Sequence, residues 1–154
     1  GIEPGKDIIR QGLQKAVWTG RFQYLSHKPD IIIDGAHNVQ GIQTLITNLD
    51  ILYPKQKLVF IIAILRDKNL KGVIDLICTK ASFIYISRNS STRAAECEDQ
   101  TKYVKANRID YDIADTVINA YKQAVEKLSA NDVLVITGSL YTISEIIAQY
   151  KSCS

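Results

Sequence analysis

A chain of 154 residues, 46% hydrophobic and 23% charged, has the composition of one ordinary soluble domain. Its 19 basic and 16 acidic residues leave a formal charge of +3, too balanced to argue for nucleic acid or an anionic membrane as partner. Cys78, Cys97 and Cys153 show no metal or redox spacing, no apolar run approaches about 20 residues, and no signal peptide is visible, so a cytoplasmic protein with reduced thiols is expected.

The chain opens with Gly1 and contains no Met, which reads as a fragment or a processed product. In chain order, the first predicted element is a helix over residues 7–17. Ile8, Ile9, Gly12, Leu13, Ala16 and Val17 form its apolar stripe, and Asp7 suits the positive end of the dipole. Gly1-Ile-Glu-Pro-Gly-Lys6 has the glycines and lysine of a phosphate loop, but it is one residue short, lacks the Ser or Thr, and follows no strand. It is rejected as one. Trp18-Thr19-Gly20 breaks the helix, and residues 21–26 alternate as a half-exposed edge strand. Turn chemistry at His27-Lys28-Pro29-Asp30 predicts a hairpin with Ile31-Ile32-Ile33. Three β-branched residues in a row leave no polar side, so this second strand is expected to be buried on both faces. Asp34 falls at its carboxyl end, Gly35 allows the sharp turn, and a helix over residues 40–52 carries Ile42, Leu45, Ile46 and Leu49 on one face.

Strands and helices alternate from there. Residues 58–65 read as a second fully apolar strand, followed by a helix through Val73, Ile74 and Ile77 and a strand over 83–87. A polar loop at 88–93 precedes a helix over 94–104 and a weaker strand over 108–113. Asn89-Ser90-Ser91 matches a glycosylation sequon, discounted without a secretion signal. Asp115 is expected to cap a helix containing Val117, Ala120, Tyr121, Ala124 and Leu128; a strand over 133–137 and a helix opened by Gly138-Ser139 complete the chain. These β-α units predict a single α/β domain over residues 1–154: a mainly parallel, doubly wound, Rossmann-like sheet of about six strands, with one antiparallel edge strand and helices on both faces.

Ligands of such sheets bind outside the carboxyl ends of the strands, so Asp34–Asn38, 66–68, 87–93 and 138–139 are the candidate positions. Asp34 and Asn38 read equally well as site residues or as turn former and helix cap. Ser139 stands where an N-cap belongs, and its hydroxyl with the neighbouring amides suits a carboxylate; a plain cap is the simpler reading. Asp67 and Lys68 read as a solvated turn pair before a ligand role, and Arg93 as a surface charge. The Arg21 guanidinium suits a two-pronged grip on phosphate. His37 is one of two histidines, and with no further ligand at metal spacing, no metal site is assigned in this chain. No nucleophile elbow surrounds Ser139, so no serine triad and no certain catalytic residue are assigned either.

Trp18-Thr19-Gly20-Arg21-Phe22, Asp34-Gly35-Ala36-His37-Asn38, Leu65-Arg66-Asp67-Lys68 and Thr137-Gly138-Ser139-Leu140-Tyr141 carry a resemblance over nearly the whole chain. In that order and spacing, they resemble the C-terminal domain of folylpolyglutamate synthase/dihydrofolate synthase, in the Mur ligase superfamily. Thr19 and Val39 stand where the family usually has Pro, which removes backbone stiffness and no reactive group. The resemblance implies an ATP-dependent amide ligase, monomeric, that adds L-glutamate to folate or dihydropteroate through an acyl phosphate. It places the phosphate loop and the Mg2+ ligands on an upstream ATPase domain of the same polypeptide, absent from this chain, so the fragment alone is expected to be inactive. By motif it assigns Arg21 to ATP phosphate, Asp34 to the nucleoside end, and His37 and Ser139 to glutamate, with Asn38, Asp67 and Lys68 fainter. Two alternatives stay open: the equivalent domain of a peptidoglycan Mur ligase, and a non-catalytic nucleotide-binding α/β module.

Overall fold

In the computed structural model, which describes residues 20–153, apolar runs and turn residues alternate as strands and helices along the chain. The elements are β1 (Gln23–Ser26), β2 (Asp30–Asp34), α1 (Val39–Leu52), β3 (Leu58–Ile62), α2 (Leu70–Cys78), β4 (Ala81–Ile86), α3 (Cys97–Ala106), β5 (Tyr111–Ile113), α4 (Val117–Lys127), β6 (Val133–Thr137) and α5 (Leu140–Ser152). The predicted helix over residues 7–17, with Trp18 and Thr19, lies outside the described residues.

The strands form one six-stranded sheet in the order β1-β2-β6-β3-β4-β5. β1 runs antiparallel to β2, and every other pair is parallel. Right-handed crossovers then decide which face each helix covers. The chain moves one way along the sheet from β2 through β5, so α1, α2 and α3 pack on a single face. It returns from β5 to β6, which puts α4 on the other face, with α5 beside it. Ile32, Phe60, Ile62, Ile84 and Val135 belong to the first core; Ile31, Ile33, Ile61, Tyr85 and Ile136 belong to the second. Adjacent residues of β2 thus point to opposite cores, which is why Ile31-Ile32-Ile33 shows no polar alternation.

Pairing also brings the carboxyl ends of the strands level. Asp34 is opposite Thr137, Thr137 is opposite Ile62, Ile62 opposite Ile86, and Ile86 opposite Ile113. The loops after β2 and β3 lead to one face and the turn after β6 leads to the other. A crevice therefore opens above β6, at the switch point of the sheet.

Several boundaries differ from the sequence reading, each for a local reason. Phe22 sits at φ +41 with its amide on the Asp34 carboxylate, so residues 21 and 22 form a bend instead of the start of β1. β3 ends at Ile62 because its extension turns to bond residues 93–95: Arg66 N donates to Arg93 O at 2.8 Å and Ala95 N to Ile64 O at 2.8 Å. The same bonds delay the start of α3 to Cys97. Arg108 takes φ +58 at the end of α3, which shortens β5 to residues 111–113. The cap of α4 is Thr116, whose Oγ1 accepts from Asn119 N at 3.1 Å, whereas Asp115 accepts from the Asn119 side chain at 2.6 Å. Gly35 lies outside the left-handed region and is small for space: a Cβ there would stand 2.6 Å from Leu140 Cδ2.

Gly138 is the turn that the level strand ends require. It has φ +122, and a Cβ on it would stand 2.8 Å from Ala63 O, a backbone atom that cannot swing aside. Gly138→Ala is expected to destabilise the domain by about 1–3 kcal/mol. Urea unfolding followed by circular dichroism checks this; an unchanged midpoint would refute it.

Candidate functional site

Three helices begin at the crevice, and each presents its positive end there. Asn38 caps α1 through Gly41 N at 2.8 Å, Asn69 caps α2 through Gly72 N at 3.0 Å, and Ser139 caps α5 through Thr142 N at 3.1 Å. Asn38 and Ser139 are therefore both caps: one of two equal readings for Asn38, and the simpler reading for Ser139. Beside these ends, His37, Lys68, Arg93 and Ser139 line one cleft of about 120 Å³, with Leu140 and Tyr141 on its apolar side. His37 and Ser139, 102 positions apart by number, are brought together, and so is Lys68.

His37 is half-buried and its Nδ1 lies 3.0 Å from Gly35 O. A carbonyl only accepts, so Nδ1 carries the proton in this contact and Nε2 is left as the ring nitrogen available to a ligand. Arg93 was the residue that sequence reasoning missed. Its Nη1 pairs with Asp67 at 3.2 Å, both side chains being about half exposed, and its carbonyl accepts from Arg66 N. Residues 87–93 are a candidate strand end by sequence, but nothing in that polar run singles out Arg93. Only the pairing of the 64–66 segment with 93–95 carries Arg93 over to Lys68. Asp67 enters the site through Arg93 and holds it in place.

Arg21 and Asp34 form a second group on the far side of Leu140. Asp34 is 7% exposed and accepts Ala36 N at 2.8 Å with one oxygen and Phe22 N at 3.1 Å with the other. Its carboxylate therefore ties the residue 20–22 bend to the β2–α1 turn. That bond supports Phe22 in a left-handed conformation that aromatic residues seldom adopt. Gly35 N donates to Gly20 O and closes the same bend. Arg21, exposed at its tip, stands close enough for its charge to act on Asp34. Burial pushes the Asp34 carboxyl above its ordinary value, and the Ala36 and Phe22 amides and the Arg21 charge offset only part of that rise.

Behind the cleft lies a network of buried polar side chains. Asn89, 4% exposed, has its Nδ2 within 3.2 Å of Ala63 O, Ser139 Oγ and Thr142 Oγ1, so its two hydrogens serve three acceptors. Its burial also rules out the glycan that its sequon would accept. Gln100, fully buried, accepts from Ile64 N at 3.2 Å and donates to Ser87 O at 3.0 Å. Thr137 Oγ1 donates to Ala36 O at 3.2 Å. These bonds set the loops of the crevice rigidly against one another. Among the described residues no group of three or more His, Cys, Asp or Glu is placed to hold a metal ion. No helix among them is long and apolar enough to cross a membrane. The arrangement is a small donor-rich cleft suited to an anion, with a guanidinium on an adjacent, braced bend.

The Mur ligase, glutamate ligase domain family model matches residues 20–140. The chain is 30% identical to the dihydrofolate synthase/folylpolyglutamate synthase of Bacillus subtilis (strain 168), over 94% of this chain and 33% of that protein. It is 34% identical to the folylpolyglutamate synthase of Lacticaseibacillus casei, over 90% of this chain and 31% of that protein. It also superposes with a TM-score of 0.82 and 25% identity on a solved bifunctional folylpolyglutamate synthase/dihydrofolate synthase with Mn, AMPPNP and L-glutamate bound, covering 97% of this chain and 36% of that one. The chain thus spans about a third of the length of the curated relatives it matches.

The raised Asp34 carboxyl has a consequence for stability. Between the unfolded value of 3.8 and the higher folded value, the folded state holds more protons than the unfolded state. Stability contributed by this group is therefore greatest below about pH 4 and falls as pH rises through its folded pKa. Asp34→Asn does not titrate. The stability of the wild type relative to that variant is expected to decline as pH is raised from about 4. Thermal unfolding of both proteins across that rise measures it; a relative stability that rises with pH would contradict the assignment.

Proposed function

The chain belongs to the Mur ligase, glutamate ligase domain family, and from that premise we propose that it is the C-terminal domain of an ATP-dependent ligase that adds L-glutamate to folate or dihydropteroate. The observation that carries this reading is the cleft that gathers His37, Lys68, Arg93 and Ser139 at the start of α5. A dicarboxylate amino acid needs donors for its anionic groups and a free amine for attack. The cleft has Lys68, Arg93, the Ser139 hydroxyl and the amides of Leu140 and Tyr141, which no carbonyl within the helix can reach. A similar protein holds L-glutamate, a nucleotide analogue and Mn.

Arg21 takes the ATP phosphate in this reading, because a guanidinium on an exposed bend can meet transferring phosphoryl charge when a facing domain closes. Asp34 stays on the ATP side as the group that holds the Arg21 bend. His37 and Ser139 grip glutamate, with Lys68 and Arg93 as the charges opposite its carboxylates and Asp67 steadying Arg93. Asn38 acts as the cap that sets the His37 turn. A divalent ion bound with ATP would shield phosphate charge, and in this reading its ligands belong to another domain. The upstream domain and the folate-side acceptor pocket belong to the same proposal.

Kinetics of the ligase carrying this chain test the assignments. His37→Ala and Ser139→Ala are each expected to raise the glutamate KM by about 10- to 150-fold, the worth of one charge-assisted hydrogen bond, with little change in the KM for ATP. Arg21→Ala is expected to lower kcat more than it weakens glutamate. Wild-type glutamate KM in both cleft variants, with folding verified, would remove the cleft from the reaction.

A further inference from the structure

Asn89 lies behind the cleft with no direct exposure to it, yet its bonds determine what Ser139 can offer a ligand. The amide cannot be flipped. Its Oδ1 accepts from Ser91 N at 3.1 Å, a group that only donates, and its Nδ2 faces Ala63 O, a group that only accepts. The loop around it is held in turn by Ser90 N donating to Glu145 Oε1 at 2.6 Å, which fastens it to α5.

The hydrogens near Ser139 can then be assigned one by one. Thr142 Oγ1 donates to Ala63 O at 2.7 Å, so it turns only lone pairs toward Ser139. Ser139 Oγ accepts from Thr142 N at 3.1 Å, and Asn89 Nδ2 gives one hydrogen to Ala63 O and turns the other to Ser139 Oγ and Thr142 Oγ1, both at 3.2 Å. A hydroxyl oxygen has two lone pairs and one hydrogen, and here an N–H donor faces each lone pair. The hydrogen remains, resting on Thr142 Oγ1 at 3.2 Å, a long separation for two hydroxyls and an easy one to leave.

We infer that Asn89 is a positioning residue for amino-acid recognition: by filling the second lone pair of Ser139 it makes that hydroxyl a donor only, which admits a carboxylate oxygen and refuses an ammonium group. The inference rests on the glutamate reading of the cleft and adds an orientation to it. A donor-only Ser139, beside Lys68, Arg93 and the free amides of α5, draws the carboxylate end of the amino acid inward. The amine is left without a partner at this wall and stays available as the nucleophile.

The test is steady-state kinetics of the ligase carrying this chain, with Asn89→Ala, Ser139→Ala, the double variant and Asn89→Asp. Asn89→Ala is expected to raise the glutamate KM about 3- to 10-fold, with kcat at saturating glutamate and the KM for ATP within about twofold of wild type. The double variant should be no worse than Ser139→Ala alone, since Asn89 acts through that hydroxyl. Asn89→Asp keeps the shape but turns the donor into an acceptor that captures the Ser139 hydrogen. Its glutamate KM should exceed that of Asn89→Ala, and this arm decides the matter if the Ala variant does not fold. Effects of Asn89→Ala and Ser139→Ala that multiply, or a loss confined to kcat, would overturn the inference. A raised KM in Ser139→Ala with a wild-type value in Asn89→Ala would overturn it while leaving the glutamate reading intact. A wild-type glutamate KM in Ser139→Ala would overturn both.

Discussion

β6 lies between β2 and β3, bonded in parallel to each, and the rest of the site is measured from it. Thr137 at its end stands level with Asp34 on one side and Ile62 on the other. The turn after β6 leads to one face of the sheet while both neighbouring strands lead to the other, and this divergence makes the crevice. It also means that the crevice cannot exist until a strand late in the chain has joined strands made far earlier. Closing so long a loop is opposed by chain entropy, and the apolar faces of Val133–Thr137 supply the compensating burial.

Parallel strands ending at one level leave a problem where the ladder stops. The backbone groups of residues 62–64, 87 and 95 emerge from the sheet in a water-poor interior, and each left unpaired would cost about 1–3 kcal/mol. Gln100 and Asn89, buried polar side chains on or beside α3, meet several of them, with Thr142 and Ser87 completing the set. Such a network is stabilising only when complete, and then it fixes loop positions more narrowly than apolar packing would. The cleft inherits that rigidity. Ser139, one of its donors, is held by the buried Asn89 and Thr142.

Charge at the site also comes from topology and not from composition. The chain as a whole carries only +3. Lys68 and Arg93 come from different loops, His37 from a third, and the amides of α5 from a fourth, so the local excess of donors arises from folding. On the other side of Leu140, a buried carboxylate is used for architecture. Asp34 bears the penalty of burial and in return holds Phe22 in a left-handed conformation, next to the exposed Arg21.

The fold was largely legible because its signals are local. The unbroken apolar runs of β2, β3 and β6, the helical stripes of α1, α2 and α4, and the turn residues between them are properties of short windows, and they define a parallel α/β sheet with an antiparallel edge. The four motifs pointed to the family for the same reason, each being a short run of adjacent residues. Element ends were less legible: the halt of β3 at Ile62 and the late start of α3 depend on bonds between residues 64–66 and 93–95, which no window contains. The place of Arg93 in the cleft, the pairing of Asp34 with the Phe22 amide, and the hold of Asn89 on Ser139 were decided only by tertiary structure. Each joins residues 12 to 50 positions apart or more, and hydrophobic periodicity specifies which face a residue takes but not which distant polar group it will meet.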